Sequence, residues 1–182
     1  TRTVEGEVLS DAYVSHDTLY LRSKYSDYYL LELNLDKLMG EEVLNKTVNY
    51  IGNRNDYINR LLLKTKDVDA TFYYLTLKEN ASSKEININI GRAKPLVVQA
   101  IKDKLKDKKI KSEFIEISTS NCNWDNLYIS IPYKNSSGEN LSIYRYDEIR
   151  RTWTKEDSYT DLINQKIRAF VKKAGIYVVI ED

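Results

Sequence analysis

One residue in this chain has a side chain that titrates near neutral pH: His16, followed directly by Asp17. General acid–base chemistry usually rests on such a group, held by a partner. His16 falls in residues 10–17, a polar stretch that reads as a loop, so an exposed histidine without a chemical role is expected there. Cys122 is the single thiol. As a nucleophile it needs a neighbouring base to form thiolate, and none can be named; a small side chain packed beside Trp124 is the expectation. The chain carries no G-x-S-x-G, no P-loop and no G-x-G-x-x-G. It is read as non-enzymatic, with no cofactor and no catalytic residues.

Metal chemistry has little to work with. Zinc needs several Cys or His ligands, and one of each is present. Calcium needs only oxygens, and Asn121, Asn123 and Asp125 alternate as at the start of a calcium loop. The sixth position of such a loop is Asn126 in place of Gly, and the twelfth is Pro132 in place of Glu, so no metal site is assigned. The more useful spacing is N-x-S/T. It occurs at Asn45, Asn80, Asn135 and Asn140, each in or beside an expected turn, and these four are the candidate glycosylation sites. Unmodified turn asparagines are the competing reading.

The elements that must position these residues are strands. The 182 residues carry 28 basic and 27 acidic side chains, without the cationic excess that drives nonspecific phosphate binding. The one basic run, 102–111, reads as a solvated turn or exposed helix face. No apolar run has the length of a membrane span and no signal peptide is seen; the start at Thr1 is read as that of a processed or excised chain. A lone cysteine excludes a disulfide-stapled module. Fifteen tyrosines against three phenylalanines suit sheet faces that pack a ring while a hydroxyl meets water.

Strands are expected at residues 3–9, 18–22, 28–33, 47–51, 59–65, 70–77, 85–90, 111–118, 126–131, 141–146, 166–171 and 176–180. Segments 18–22 and 28–33 read as a hairpin, and 35–40 as one helical turn stopped by Gly40. Residues 96–107 stay open: the spacing of Leu96, Ala100, Ile101 and Leu105 behind Pro95 suits a helix, whereas the strand-rich context favours a strand over 96–101. The context decides the expectation.

Residues 1–68, with their short helical piece between the third and fourth strands and the Val48-Asn49-Tyr50-Ile51-Gly52 segment, resemble an OB-fold barrel. Residues 85–182 resemble the β-sandwich modules of prokaryotic, archaeal-like secreted and cell-surface proteins. The resemblance rests on Ile131-Pro132-Tyr133, the 141–146 strand, Trp153, the 167–169 strand and the closing 175–179 strand. The same strand grammar is similar to the sandwich halves of ZU5, UPA and GAIN-type domains. GAIN-type self-cleavage uses a His-Leu-Ser/Thr triplet, which this chain lacks.

The expected fold is all-β, an OB-like barrel over 1–80 followed by an antiparallel β-sandwich over 81–182. The resemblance implies an extracellular or cell-surface structural role, as a subunit or module of a surface layer, filament or adhesin, with protein partners, self-assembly and glycans as its contacts. The strand-like ends, 1–9 and 177–182, are candidates for pairing with a neighbouring subunit. The alternative is an OB-fold binder of single-stranded nucleic acid or carbohydrate through Tyr20, Tyr28, Tyr29 and Tyr50. Asp11, Asp17, Asp27, Glu32 and Asp36 lie in the same region and disfavour a nucleic acid.

Overall fold

The computed structural model describes residues 44–51, 57–81, 83 and 85–182, and before residue 44 only the backbone of short strands. Those early strands are β1 (Thr3–Val4), β2 (Glu7–Val8), β3 (Asp11–Ser15), β4 (Thr18–Arg22), β5 (Asp27–Tyr28) and β6 (Leu31–Glu32). Then follow β7 (Asn45–Ile51), β8 (Tyr57–Lys64), β9 (Asp69–Leu77) and β10 (Glu85–Arg92). Helix α1 (Pro95–Ile101) runs into a 3-10 turn (Lys102–Leu105). The remainder is β11 (Lys109–Ile110), β12 (Ile115–Ser120), β13 (Cys122–Asn123), β14 (Asn126–Pro132), β15 (Leu141–Asp147), β16 (Thr152–Lys155), β17 (Tyr159–Asp161), β18 (Lys166–Val171) and β19 (Gly175–Glu181).

Two large sheets face each other, as the all-β sandwich expectation requires. The first runs β16-β15-β19-β12-β10-β7-β4-β3, with β11 also on β19. The second runs β17-β18-β14-β9-β8-β5, with β13 on β9 and β6 on β8. Pairing is antiparallel except where β4 joins β7 and where β5 and β6 join β8.

Strict alternation fills the space between the sheets. In β10, Ile86, Ile88 and Ile90 are buried while Asn87 and Asn89 take the other face. Leu61, Leu63, Phe72, Leu127, Ile129, Ile131, Ile167 and Val171 meet them from the second sheet. β19 is apolar on both faces: Tyr177 and Val179 enter this core, and Ile176, Val178 and Ile180 enter a second one. Its continuous apolar run therefore reflects burial on two sides.

The second core is roofed by α1, which corrects the strand expected over 96–101. Pro95 occupies the first turn, where a missing N–H costs nothing, and Ile101 and Leu105 seal the outer face of β19 with Phe114 and Trp153. The Trp153 indole N–H donates to the Ile101 carbonyl at 3.2 Å. Strand 111–118 is shorter than expected, beginning at Ile115.

Four other expectations change. Among the described residues no barrel closes. Strands 18–22 and 28–33 are not a hairpin, because β4 lies in the first sheet and β5 and β6 in the second. Residues 11–15, read as loop, form β3 on β4. Segment 177–182 is not a free end strand, since β19 is held between β15 and β12 and offers no open edge. The helical turn at 35–40 lies outside the described residues.

The expected boundary at 80/81 is bridged by both sheets. β7 pairs with β10 from Glu85↔Ile51 to Gly91↔Asn45, and β9 pairs with β14 from Asn126↔Tyr73 to Ser130↔Asp69. Gly91 is required at this seam: with φ +151 it lies so close to the strand end before it that a Cβ would stand 2.5 Å from the Leu44 carbonyl oxygen.

Candidate binding face

The outward face of the second sheet carries the exposed rings of Phe170 and Tyr159 beside the half-buried rings of Tyr73 and Tyr128. The register dictates which side chains meet there. In β14, Leu127, Ile129 and Ile131 point inward, so Asn126, Tyr128 and Ser130 take the outer face. Tyr128 sits directly opposite Phe170 of β18, and Asn126 opposite Tyr73 of β9. In the next row Ser130 is flanked by Asp69 and Arg168, and Arg168 by Tyr159 of β17.

The rings of Tyr128 and Phe170 are stacked, with centroids 4.5 Å apart and planes 19° from parallel. Adjacent strands are separated by about 4.8 Å. Two rings so spaced on opposed residues must stand upright on the sheet, face to face, with their edges to solvent. Tyr73 lies 6.4 Å from Phe170, and the Tyr159 and Tyr128 hydroxyls are in contact. Burial, and then that contact, push the Tyr128 hydroxyl above its ordinary pKa. β17 pairs only with residues 166–168, so Phe170 lies beyond its end and is 59% exposed; Tyr159 is 52% exposed. A second stack, Tyr57 on Tyr74 at 4.9 Å, stands at the far side of β9.

Two ion pairs stand beside these rings, while Arg60 of β8, opposite Tyr73, has a buried Nε with no hydrogen-bond partner among the described residues. Arg168 donates from Nη2 and Nε to Asp161 Oδ2 at 2.9 and 3.2 Å. Asp161 also accepts from the Asn164 side chain at 2.8 Å and its backbone at 3.1 Å. These bonds from Asn164, with the guanidinium beside them, hold its carboxyl down at about 2. Lys166 Nζ meets Asp69 Oδ2 at 2.9 Å, and Lys172 donates to the Asp125 carbonyl at 3.1 Å and to Asn126 Oδ1. Rings, ion pairs and amides of this kind can stack and hydrogen-bond.

The residues singled out from sequence do not gather into one site. His16 and Tyr29 lie outside the described residues. Tyr20 and Tyr50 fall on β4 and β7 of the first sheet and Tyr28 on β5 of the second, so no single face carries all three. Cys122 is a free, partly buried thiol against the main core, and burial pushes its pKa up to about 11 despite opposing contributions from Thr119 and Lys78. Asn121, with φ +59, spends its side-chain amide on Ser83 Oγ and the Glu85 carbonyl. Among the described residues no group of three or more His, Cys, Asp or Glu is placed to hold a metal. None of their helices is long and apolar enough to cross a membrane.

The four sequon asparagines are all exposed. Asn135 and Asn140 share the turn between β14 and β15, where both adopt positive φ. Asn45 lines a polar groove of about 460 Å³ on the first sheet, with Thr47, Asn89, Lys94, Glu116 and Ser118. Thr47 Oγ1 donates to Asn89 Oδ1 there at 2.7 Å. The aromatic face was not foreseen from sequence. Its signal was the phase of the alternation: Tyr128 between Leu127 and Ile129, and Phe170 between Ala169 and Val171, occupy the positions that cannot point inward.

No protein-family model matches this chain, and a search of curated proteins finds no relative.

Proposed function

We propose that this chain is a non-enzymatic module that works outside the cell, as a subunit or module of a prokaryotic surface layer, filament or adhesin. The observation that carries the proposal is the upright aromatic cluster on the outer face of the second sheet. Phe170 and Tyr159, 59% and 52% exposed on a well-paired sheet, have no folding role that requires that exposure; presented to a partner, they become contact area. The rigid sandwich behind them gives a surface that binds without rearranging. Four exposed N-x-S/T asparagines support the extracellular placement, because a glycan acceptor must be reachable.

Antibody labelling of intact cells of the source organism tests this reading. Labelling of unbroken cells, or of shed filaments, is the expected result. Signal that appears only after lysis would contradict the extracellular placement.

A further inference from the structure

We infer that the outer face of the second sheet holds a site for the oxyanion groups of an acidic polysaccharide, centred on Arg60 of β8. This rests on reading that face as a binding surface and adds what it holds. A kink shared by β8 and β9 builds the site. Their ladder pairs Tyr57↔Thr76 and Ile58↔Leu75, omits Asn59 and Tyr74, and resumes at Arg60↔Tyr73. Ile58 and Leu61 are both buried, as are Phe72 and Leu75. Each strand therefore turns two successive residues outward, Asn59 with Arg60 and Tyr73 with Tyr74. Tyr74 takes φ +57, the left-handed region that a bulky residue seldom adopts, and such outliers gather at functional sites. Its ring, 44% exposed, is stacked on Tyr57 at 4.9 Å.

The row through Arg60 selects the ligand. Tyr73 lies opposite Arg60 on one side and Asn126 of β14 on the other, and Lys172, just past β18, holds Asn126 Oδ1. Arg60 is half-buried with its Nε enclosed and unpartnered, and neither Arg60 nor Lys172 meets a carboxylate among the described residues. Farther along the face, Lys166 and Arg168 do meet Asp69 and Asp161. A guanidinium drawn partly out of water without an acceptor is an incomplete site, which an oxyanion completes through charge-assisted bonds. Lys172 spends its ammonium on neutral acceptors, the Asp125 carbonyl and Asn126 Oδ1, so its charge also stays uncompensated. With that oxygen taken, the row offers a ligand donors: the guanidinium, the Asn126 amide N–H groups and the Tyr73 hydroxyl. Arg60 and Lys172 stand three strand spacings apart, about 14 Å, too far for one small ion and suited to acidic groups repeated along a chain. A nucleic acid needs a stripe of cations and rings set apart for its bases; here two cations share the row, and Tyr57 and Tyr74 stack on each other. Asp125, exposed beside Asn126, is the acidic side chain that opposes the ligand.

The test is retention of the whole chain on beads bearing alginate or dextran sulfate, with dextran as the uncharged control and oligo-dT as the nucleic-acid probe. The Arg60 Nε–H signal is followed by NMR as oligosaccharides of the same acidic polymers are added. At least one acidic polymer should retain the protein, about tenfold more at about 50 mM than at about 500 mM salt, and dextran should not. The Arg60 Nε–H signal should shift on the same addition, a readout that needs no variant. Arg60→Gln should weaken retention about tenfold and the exposed-site change Lys172→Gln about threefold, at unchanged melting temperature. Arg60→Lys, which keeps the charge without the planar fork, should recover only part, and Asp125→Asn should strengthen retention. Retention by neither acidic polymer, retention indifferent to both Arg60→Gln and Lys172→Gln, an Arg60 signal unmoved by a polymer that binds, or retention by oligo-dT alone would overturn the inference. If both acidic polymers fail while the Phe170→Ala/Tyr159→Ala variant still loses attachment to isolated cell envelopes, the ligand class falls and the binding face stands. If attachment to envelopes is also unchanged in that variant, both fall.

Discussion

Arg92, at the end of β10 in the first sheet, closes on Asp67, in the turn that joins β8 to β9 in the second. Nη2 and Nε lie 2.9 and 3.0 Å from Asp67 Oδ2. The Asp67 side chain is only 4% exposed, whereas that of Arg92 is 35% exposed. Removing the arginine strands a buried carboxylate, which is the costly way to break such a pair. Arg92→Ala should therefore lose on the order of 2 kcal/mol, read by urea unfolding. The double change with Asp67→Asn should recover part of that loss. A cost below about 0.5 kcal/mol would show that the contact adds nothing beyond an exposed pair.

The two sheets cross residues 80 and 81, so the chain from β7 onward should unfold as one unit. Phe72 and Ile143 are both fully buried in the shared core, on opposite sides of that point. Phe72→Ala should cost about 3–5 kcal/mol and Ile143→Ala about 2–5 kcal/mol. Each should lower the midpoint of the same transition, by fluorescence and by far-UV circular dichroism alike. Two transitions, each moved by only one of the substitutions, would show separate folding units.

The Asp161 carboxyl gives the fold an acid dependence. Its folded pKa of about 2 is below the unfolded value of about 3.9. The unfolded state thus binds the proton first as pH falls. The stabilisation is complete above about pH 4 and is lost as pH drops through about 2. The melting temperature of the parent chain should fall across that window more steeply than that of Asp161→Asn. Parallel curves would mean that the hairpin around Asp161 is already open in the native state.

Cys122 should behave as a structural thiol. With its pKa pushed up to about 11, almost none is thiolate at pH 8. Labelling by iodoacetamide in native buffer should be at least tenfold slower than in 6 M guanidinium. Equal rates would place the thiol in open solvent.

The strands of the second half were legible because the turns between them are polar and because alternation is clear in β14 and β18; β15, buried at four successive residues, stood out by its polar flanks. Residues 96–101 were not, since Pro95 and a short apolar stretch broken by Gln99 suit either a strand or a short roofing helix. Only the outward apolar side of β19 decides between them, and that is a tertiary fact. The boundary at 80/81 looked real because the intervening loop is polar, yet polarity marks a turn without saying whether the flanking strands share a sheet. The binding face was half visible. Tyr128 and Phe170 stood in the outward phase, but their opposition depends on the β14–β18 register, which no local pattern specifies.

Attachment of the purified chain to isolated cell envelopes of its source organism, followed by co-sedimentation, tests the binding face most directly. The parent chain should co-sediment, and the Phe170→Ala/Tyr159→Ala variant, with an unchanged melting temperature, should do so at least tenfold less. Equal co-sedimentation of the two proteins, or none by either, would contradict the account.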